Sequence, residues 1–227
     1  MQKFTILGIT LYDYGAREAL RNTDRFLGSG GLNTVAYISS AQIAQASRDV
    51  ELKESVEQLD MTLCTEPDLL EAAGIAARSR IREIDEKVYL RELLRKLYRN
   101  RNSVYLLADT QQELEMLEDL IQEYQGNLYI QGRGTCEMFD RQPERLVNEL
   151  NDVAPDAVLS RMPWPQDIVL MKEYGQYVNA RLWVSLPYGA VSWMQNPSFW
   201  ARLKRKFHYR LFENCLLYTS DAADDRI

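Results

Sequence analysis

The chain alternates short apolar runs with longer stretches whose apolar residues recur every three or four positions, and few architectures accommodate that alternation. The runs fall at 4–9, 34–39, 61–64, 103–107, 128–131, 157–160 and 182–186. Between them, 16–27 places Ala19, Leu20 and Phe26 on one side, and 41–59 places Ile43, Ala44, Leu52, Val56 and Leu59 together. Segment 88–98 aligns Leu90, Leu93, Leu94 and Leu97, and 111–124 aligns Leu114, Leu117, Leu120 and Ile121. These spacings predict helices with one buried face. Short apolar strands separated by such helices predict an α/β domain with a mostly parallel sheet covered on both faces. At 227 residues and 46% apolar, the chain suffices for one such core.

Turn chemistry places several boundaries. The glycines at 28–31 end the first helix and lead to the second run. Asp109-Thr110 precedes a helix that begins Gln-Gln-Glu and offers an N-cap. Gly126-Asn127 and Pro155-Asp156 each introduce a strand. No internal repeat or low-complexity linker divides the chain.

Composition removes several function classes. A net charge of −6 disfavours general nucleic-acid binding, so attraction to phosphate must come from a local patch. Cys64, Cys136 and Cys215 are widely spaced and form no CxxC pair, which fits a reducing compartment and no structural zinc. The one histidine, His208, leaves little room for a histidine metal site or a Ser-His-Asp triad. Residues 1–20 lack the pattern of a signal peptide, and no apolar stretch is long enough to span a membrane.

One local patch stands out. Segment 201–212 reads ARLKRKFHYRLF, with five cations (Arg202, Lys204, Arg205, Lys206 and Arg210) and no acid, interleaved with aromatic and aliphatic residues. Such a helix either lies on an anionic membrane surface or docks on the core with a solvated cationic face. The expected organisation is an α/β domain over 1–196, a basic aromatic helix over 197–214, and a tail over 215–227. That tail, CLLYTSDAADDRI, resembles translated sequencing-adapter read-through and is set apart from the functional reading.

No phosphate loop is evident. GSGG at 28–31 reads as a turn, and Gly132-Arg133-Gly134 is either an anion-facing loop or a plain turn after a strand. Carboxylates near strand ends are better candidates, because parallel sheets bind ligands beyond the carboxyl ends of their strands. Glu66 and Asp68 follow the third run, Asp109 the fourth and Asp167 the sixth. Each is read as a general base or as a helix-capping acid.

Taken in order, these segments resemble the WecG/TagA/CpsF family of bacterial glycosyltransferases over roughly residues 4–213. The resemblance runs through ILGITL at 6–11 with EAL at 18–20, SRDVELKESVEQLDMTL at 47–63, and Arg80-Ile81 with Asp85. It continues through the strand at 104–107, 126–132, PDAVL at 155–159, PWPQD at 163–167, and Trp200 with Arg210-Leu211. It implies a Rossmann-like fold, no required metal, oligomers, and transfer of an N-acetylmannosamine-type sugar from a UDP donor to an undecaprenyl-diphosphate-linked acceptor in cell-envelope polysaccharide synthesis. It implies a cytoplasmic protein, peripheral at the inner face of the cell membrane. The basic end then contacts the acceptor diphosphate and the membrane through Arg202, Lys204, Arg205 and Arg210.

Arg80 and Gln166 stand at matching places and are expected to bind donor or acceptor. The departures are concentrated at the expected site. Ser39 replaces an asparagine and is expected to line the donor pocket. Thr65-Glu66 stands where the family has an Asp-Gly pair, so Glu66 or Asp68 is the expected base, with Thr65 and Asp109 near the substrate. Ala108-Asp109, Glu83 and Arg161 or Met162 stand where the family has glycines. Two readings follow: a divergent hexosyltransferase with an altered catalytic motif, or an inactive homologue that binds sugar nucleotide or scaffolds a partner.

Overall fold

The computed structural model describes residues 2–75 and 77–188. The basic segment with Arg202, Lys204, Arg205 and Arg210, and the tail from 215, lie outside the described residues. The chain starts with an antiparallel hairpin, β1 (Gln2–Ile6) and β2 (Ile9–Asp13), with Ile6 opposite Ile9. The first apolar run is therefore not one strand. It folds back at Leu7-Gly8, both in the left-handed region (φ 49° and 74°), the geometry of a tight two-residue hairpin turn. Phe4, Ile6, Ile9 and Leu11 all face the core, because the two-residue turn keeps alternation in phase across the hairpin.

The rest is one six-stranded, all-parallel sheet with helices on both faces, as the alternation predicts. In chain order come α1 (Ala16–Leu27), β3 (Asn33–Ile38), α2 (Ser40–Ala46), α3 (Val50–Glu57), β4 (Met61–Cys64), α4 (Asp68–Ala72), α5 (Arg78–Asp85) and α6 (Val88–Arg99). There follow β5 (Val104–Ala108), α7 (Gln111–Gln125), β6 (Ile130–Thr135), α8 (Pro143–Val153), β7 (Ala157–Arg161), α9 (Gln166–Tyr174), a 3-10 turn and β8 (Leu182–Ser185). The strand order is β4-β3-β8-β7-β5-β6.

Two expected elements differ. The helix expected over 41–59 is α2 and α3, separated where Asp49 accepts a hydrogen bond from the Leu52 amide (3.1 Å) and starts a new helix. The strand expected over 128–131 runs instead over Ile130–Thr135 as β6, so Gly132 and Gly134 sit inside a strand and form no loop. Tyr105 of β5 is fully buried against them. A Cβ on Gly132 would lie 2.5 Å from the Tyr105 ring, and one on Gly134 would lie 2.4 Å from its hydroxyl. Gly132→Ala is expected to destabilise the fold by about 1–3 kcal/mol through overpacking. The check is a lower urea midpoint at unchanged m-value.

Alternation within the strands builds two cores. Ala36, Ile38, Tyr105, Leu107, Val158 and Trp183 point to the face covered by the hairpin, α2, α3, α8 and α9. Val35, Tyr37, Leu106, Leu159 and Val184 point to the face covered by α1, α6 and α7. This division positions the site. After β5 the chain crosses to β6 through α7 on one face; after β7 it crosses the other way to β8 through α9 on the opposite face. β5 and β7 are neighbours, so their carboxyl ends flank a topological switch point, the crevice where open parallel sheets hold ligands.

Candidate functional site

The carboxyl edge of the sheet carries two polar groups of residues. The first sits at the ends of β3 and β4. Ser39 caps α2: its Oγ accepts from the Gln42 amide (3.2 Å), while Gln42 Oε1 accepts from the Ser39 amide (2.8 Å). Glu66 Oε1 accepts from both the amide (3.0 Å) and the hydroxyl (2.6 Å) of Ser40 at the start of the same helix. Thr65 donates through its hydroxyl to the Ile38 carbonyl (3.2 Å). Asp68 opens α4 and is 5% exposed, whereas Glu66 is half-buried.

Arg80, on α5, reaches the hairpin. Its Nε lies 3.1 Å from both Asp13 oxygens, and its Nη2 donates to Asp13 Oδ1 (2.6 Å) and to the Tyr14 carbonyl (2.7 Å). Nη1 pairs with Glu83. Glu83 thus fills an expected glycine position and also receives the Ala16 amide (3.0 Å) at the start of α1. Burial works against the Arg80 charge, but Asp13 and Glu83 outweigh it, and its pKa is raised. Cys64 lies among these groups. Burial first, and Asp13 next, push its thiol up to about 12, so it carries almost no thiolate at neutral pH.

The second group sits at the switch point. Asp109, just past β5, forms an ion pair with Arg141 Nη1 (2.6 Å) from the loop after β6. Thr110, one residue on, caps α7 by accepting from the Glu113 amide (3.3 Å). Arg161 ends β7, opposite Ala108 in the sheet, and the Asp109 amide donates to its carbonyl (3.3 Å). Its side chain is 1% exposed, with Nε 3.1 Å from Glu113 Oε2. Burial lowers the Arg161 pKa against the opposing pull of Glu113. The two expected glycine sites at the ends of β5 and β7 are therefore neighbours in space. Both now carry charged side chains, Asp109 paired with Arg141 and Arg161 with Glu113.

Behind this crevice, Trp183 Nε1 donates to Ser160 Oγ (2.8 Å), and Ser160 Oγ donates to Asp167 Oδ2 (2.8 Å). Asp167 is buried. Desolvation pushes its pKa up to about 6, and hydrogen bonds from Ser185 and Ser160 pull the other way. Gln166, its neighbour, faces a cavity of about 290 Å³ bounded by the loop after β6 and by α8 and α9. Phe139, Leu146, Met162, Val169 and Leu170 form its apolar walls, and Arg141 stands on its lining. Cys136 also lines it, with a thiol that burial pushes up to about 11.

The structure brings Ser39, Thr65 and Glu66 together, with Arg80 and Asp13 close by. It brings Asp109 and Gln166 near one another through Arg141. It separates the two sets: β4 and β7 are three inter-strand spacings apart, about 14 Å. Sequence reasoning missed Asp13, Glu113 and Arg141. Their partners lie far along the chain, and no local spacing marks them. Among the described residues, no group of three His, Cys, Asp or Glu is arranged to hold a metal ion, and no helix is long and apolar enough to cross a membrane.

Against known proteins, the model of the glycosyl transferase WecG/TagA/CpsF family matches residues 4–215. No curated protein matches the chain.

Proposed function

We propose, from the premise that this chain belongs to the WecG/TagA/CpsF glycosyltransferase family, that it transfers an N-acetylhexosamine of the N-acetylmannosamine type from a UDP-sugar to an undecaprenyl-diphosphate-linked acceptor. The observation that carries the reading is Gln166, a residue at a family-matching position, in the wall of a 290 Å³ cavity beside the switch-point crevice. A nucleotide sugar laid along the carboxyl edge then has its nucleotide over β7 and its sugar toward β3 and β4. Ser39, Thr65 and Arg80 bound the sugar end, and Asp109 and Gln166 the nucleotide end.

In the transfer, the acceptor hydroxyl oxygen bonds to the anomeric carbon and its proton passes to a carboxylate. The bond from that carbon to the UDP oxygen breaks, and UDP leaves with the electron pair. Glu66 is the better placed base, because Asp68 is buried at the start of α4. Arg202, Lys204, Arg205 and Arg210 hold the acceptor diphosphate and an anionic membrane surface at the inner face of the cell membrane.

One observation favours a second reading, a sugar-nucleotide-binding homologue without turnover. Ser39, Glu66 and Arg80 all bond to their own chain, and each must exchange a partner to act on substrate. Calorimetric titration of the full chain with UDP-N-acetylhexosamines, paired with UDP release in the presence of a lipid-diphosphate-linked acceptor, separates the two. The transferase reading expects binding and turnover. Glu66→Gln is then expected to slow turnover by about 10²-fold or more while binding persists. Binding without turnover selects the second reading, and absence of binding sinks both.

A further inference from the structure

We infer that Arg141 is the cation of an organic-diphosphate site, holding a diphosphate at the mouth of the cavity whose apolar walls take the attached organic group. The inference deepens the donor-site reading above and rests on it for the identity of that group.

The cavity has the shape and chemistry for a ligand with one apolar and one anionic end. Its walls are aliphatic and aromatic, and its volume of about 290 Å³ suits a single ring or a short branched chain. Its lining also carries the polar side chains of Arg141, Gln142, Gln166, Glu173 and Tyr174, with Arg141 the one cation among them. The acids nearby are Glu173 on the lining, Asp109 across from Arg141, Glu137, whose charge reaches Arg141, and Asp167, whose charge reaches the lining residue Cys136. Without the guanidinium, that mouth repels an anion.

Arg141 is available in a way that the other arginines of the site are not. Arg80 is committed to Asp13, Glu83 and a carbonyl, and Arg161 is buried in its ion pair. The Arg141 side chain is 52% exposed, and among the described residues its bond is a single one, from Nη1 to Asp109 Oδ1. A guanidinium presents five donors in a fork that matches phosphate oxygens, so most of this fork remains for a ligand. Asp109 holds the group at the crevice and leaves that capacity in place.

The backbone that presents Arg141 is strained. Asp140 (φ 52°) and Arg141 (φ 55°) are consecutive non-glycine residues in the left-handed region. The Arg141 amide donates to the Cys136 carbonyl (2.8 Å), the Asp140 amide to the Glu137 carbonyl (3.1 Å), and the Asp140 carboxylate pairs with Arg145. A loop over-determined in this way fixes where its side chain stands, as ligand clamps require.

The test uses the full chain and its Arg141→Ala variant, titrated calorimetrically with UDP, with farnesyl diphosphate as a lipid-type diphosphate, and with uridine as a phosphate-free control. Asp109 is 9% exposed and loses its partner in the variant, which is expected to melt below the wild type, so both proteins are titrated at a temperature where each is folded. The expected result is a loss of at least tenfold in UDP affinity in the variant, with uridine binding equal in both proteins. Farnesyl diphosphate binding that depends on Arg141, with no UDP binding, keeps the diphosphate site and removes the donor reading. Equal UDP affinity in the two proteins overturns the role of Arg141 and leaves the donor reading standing. A wild-type chain that binds neither diphosphate overturns both.

Discussion

Replacing Arg161 by alanine is expected to lower the stability of the fold by about 3 kcal/mol, the scale for breaking a buried ion pair from one side. Its guanidinium is 1% exposed, and Glu113 is 15% exposed, 3.1 Å from it. Burial already disfavours the arginine charge, and Glu113 opposes that penalty. With the arginine gone, the carboxylate remains in the crevice between β7 and α7 without the cation that offset its desolvation. The size of the effect therefore lies in what is left behind. Arg161→Met combined with Glu113→Leu is expected to recover most of the loss, because apolar residues of similar volume replace the whole pair. Urea unfolding of the two single variants and the double variant gives the cycle. A cost below ~1 kcal/mol for Arg161→Ala would place the pair in solvent and contradict the buried geometry.

Asp167→Asn is expected to stabilise the protein at pH 7.5 and to leave it nearly unchanged at pH 4. Burial raises the folded-state pKa of Asp167 from 3.8 to about 6, against hydrogen bonds from Ser185 and Ser160. The native state therefore binds this proton more tightly than the unfolded chain does. The favourable contribution is fully present below pH ~4 and is lost as pH rises through about 6. Over that window the wild type loses up to about 3 kcal/mol relative to the asparagine variant, at ~1.4 kcal/mol for each unit between the two pKa values. Asparagine has no carboxylate to ionise and can still accept from Ser160. Urea unfolding of both proteins from pH 4 to pH 8 reads the difference directly. A difference that does not change with pH would falsify burial of an ionisable Asp167.

The parts of this molecule that the sequence announces are those with local periodicity. β3, β5, β7 and β8 each carry an apolar run because both faces of the sheet are covered, and α1, α6 and α7 carry apolar stripes. The hairpin was harder to read. Its turn is Leu7-Gly8, and leucine at φ 49° carries none of the polar chemistry that marks a turn, so 4–9 reads as one run through the turn. α4, at five residues, is too short to show a period, and α5 buries none of its residues. At the site, Gln166 was found through its surrounding motif. Arg141 was not, because it lies in an aperiodic loop, 32 residues from Asp109 in the chain. Charge partners that meet only through the sheet order leave no spacing to read.

The same order has a consequence for biosynthesis. β8 lies between β3 and β7 and pairs with both, yet among the described residues it is the last strand of the sheet in chain order. During vectorial synthesis, β3 and β4 emerge as one parallel pair, and β5, β6 and β7 as a separate trio. Each has an open inner edge of unpaired amides and carbonyls until Leu182–Ser185 leaves the ribosome and closes the gap. Val158 and Leu159, which lie at the centre of the finished cores, face that open edge throughout the interval. The nascent chain is therefore most exposed to wrong pairing late in translation, and a single four-residue strand ends that exposure.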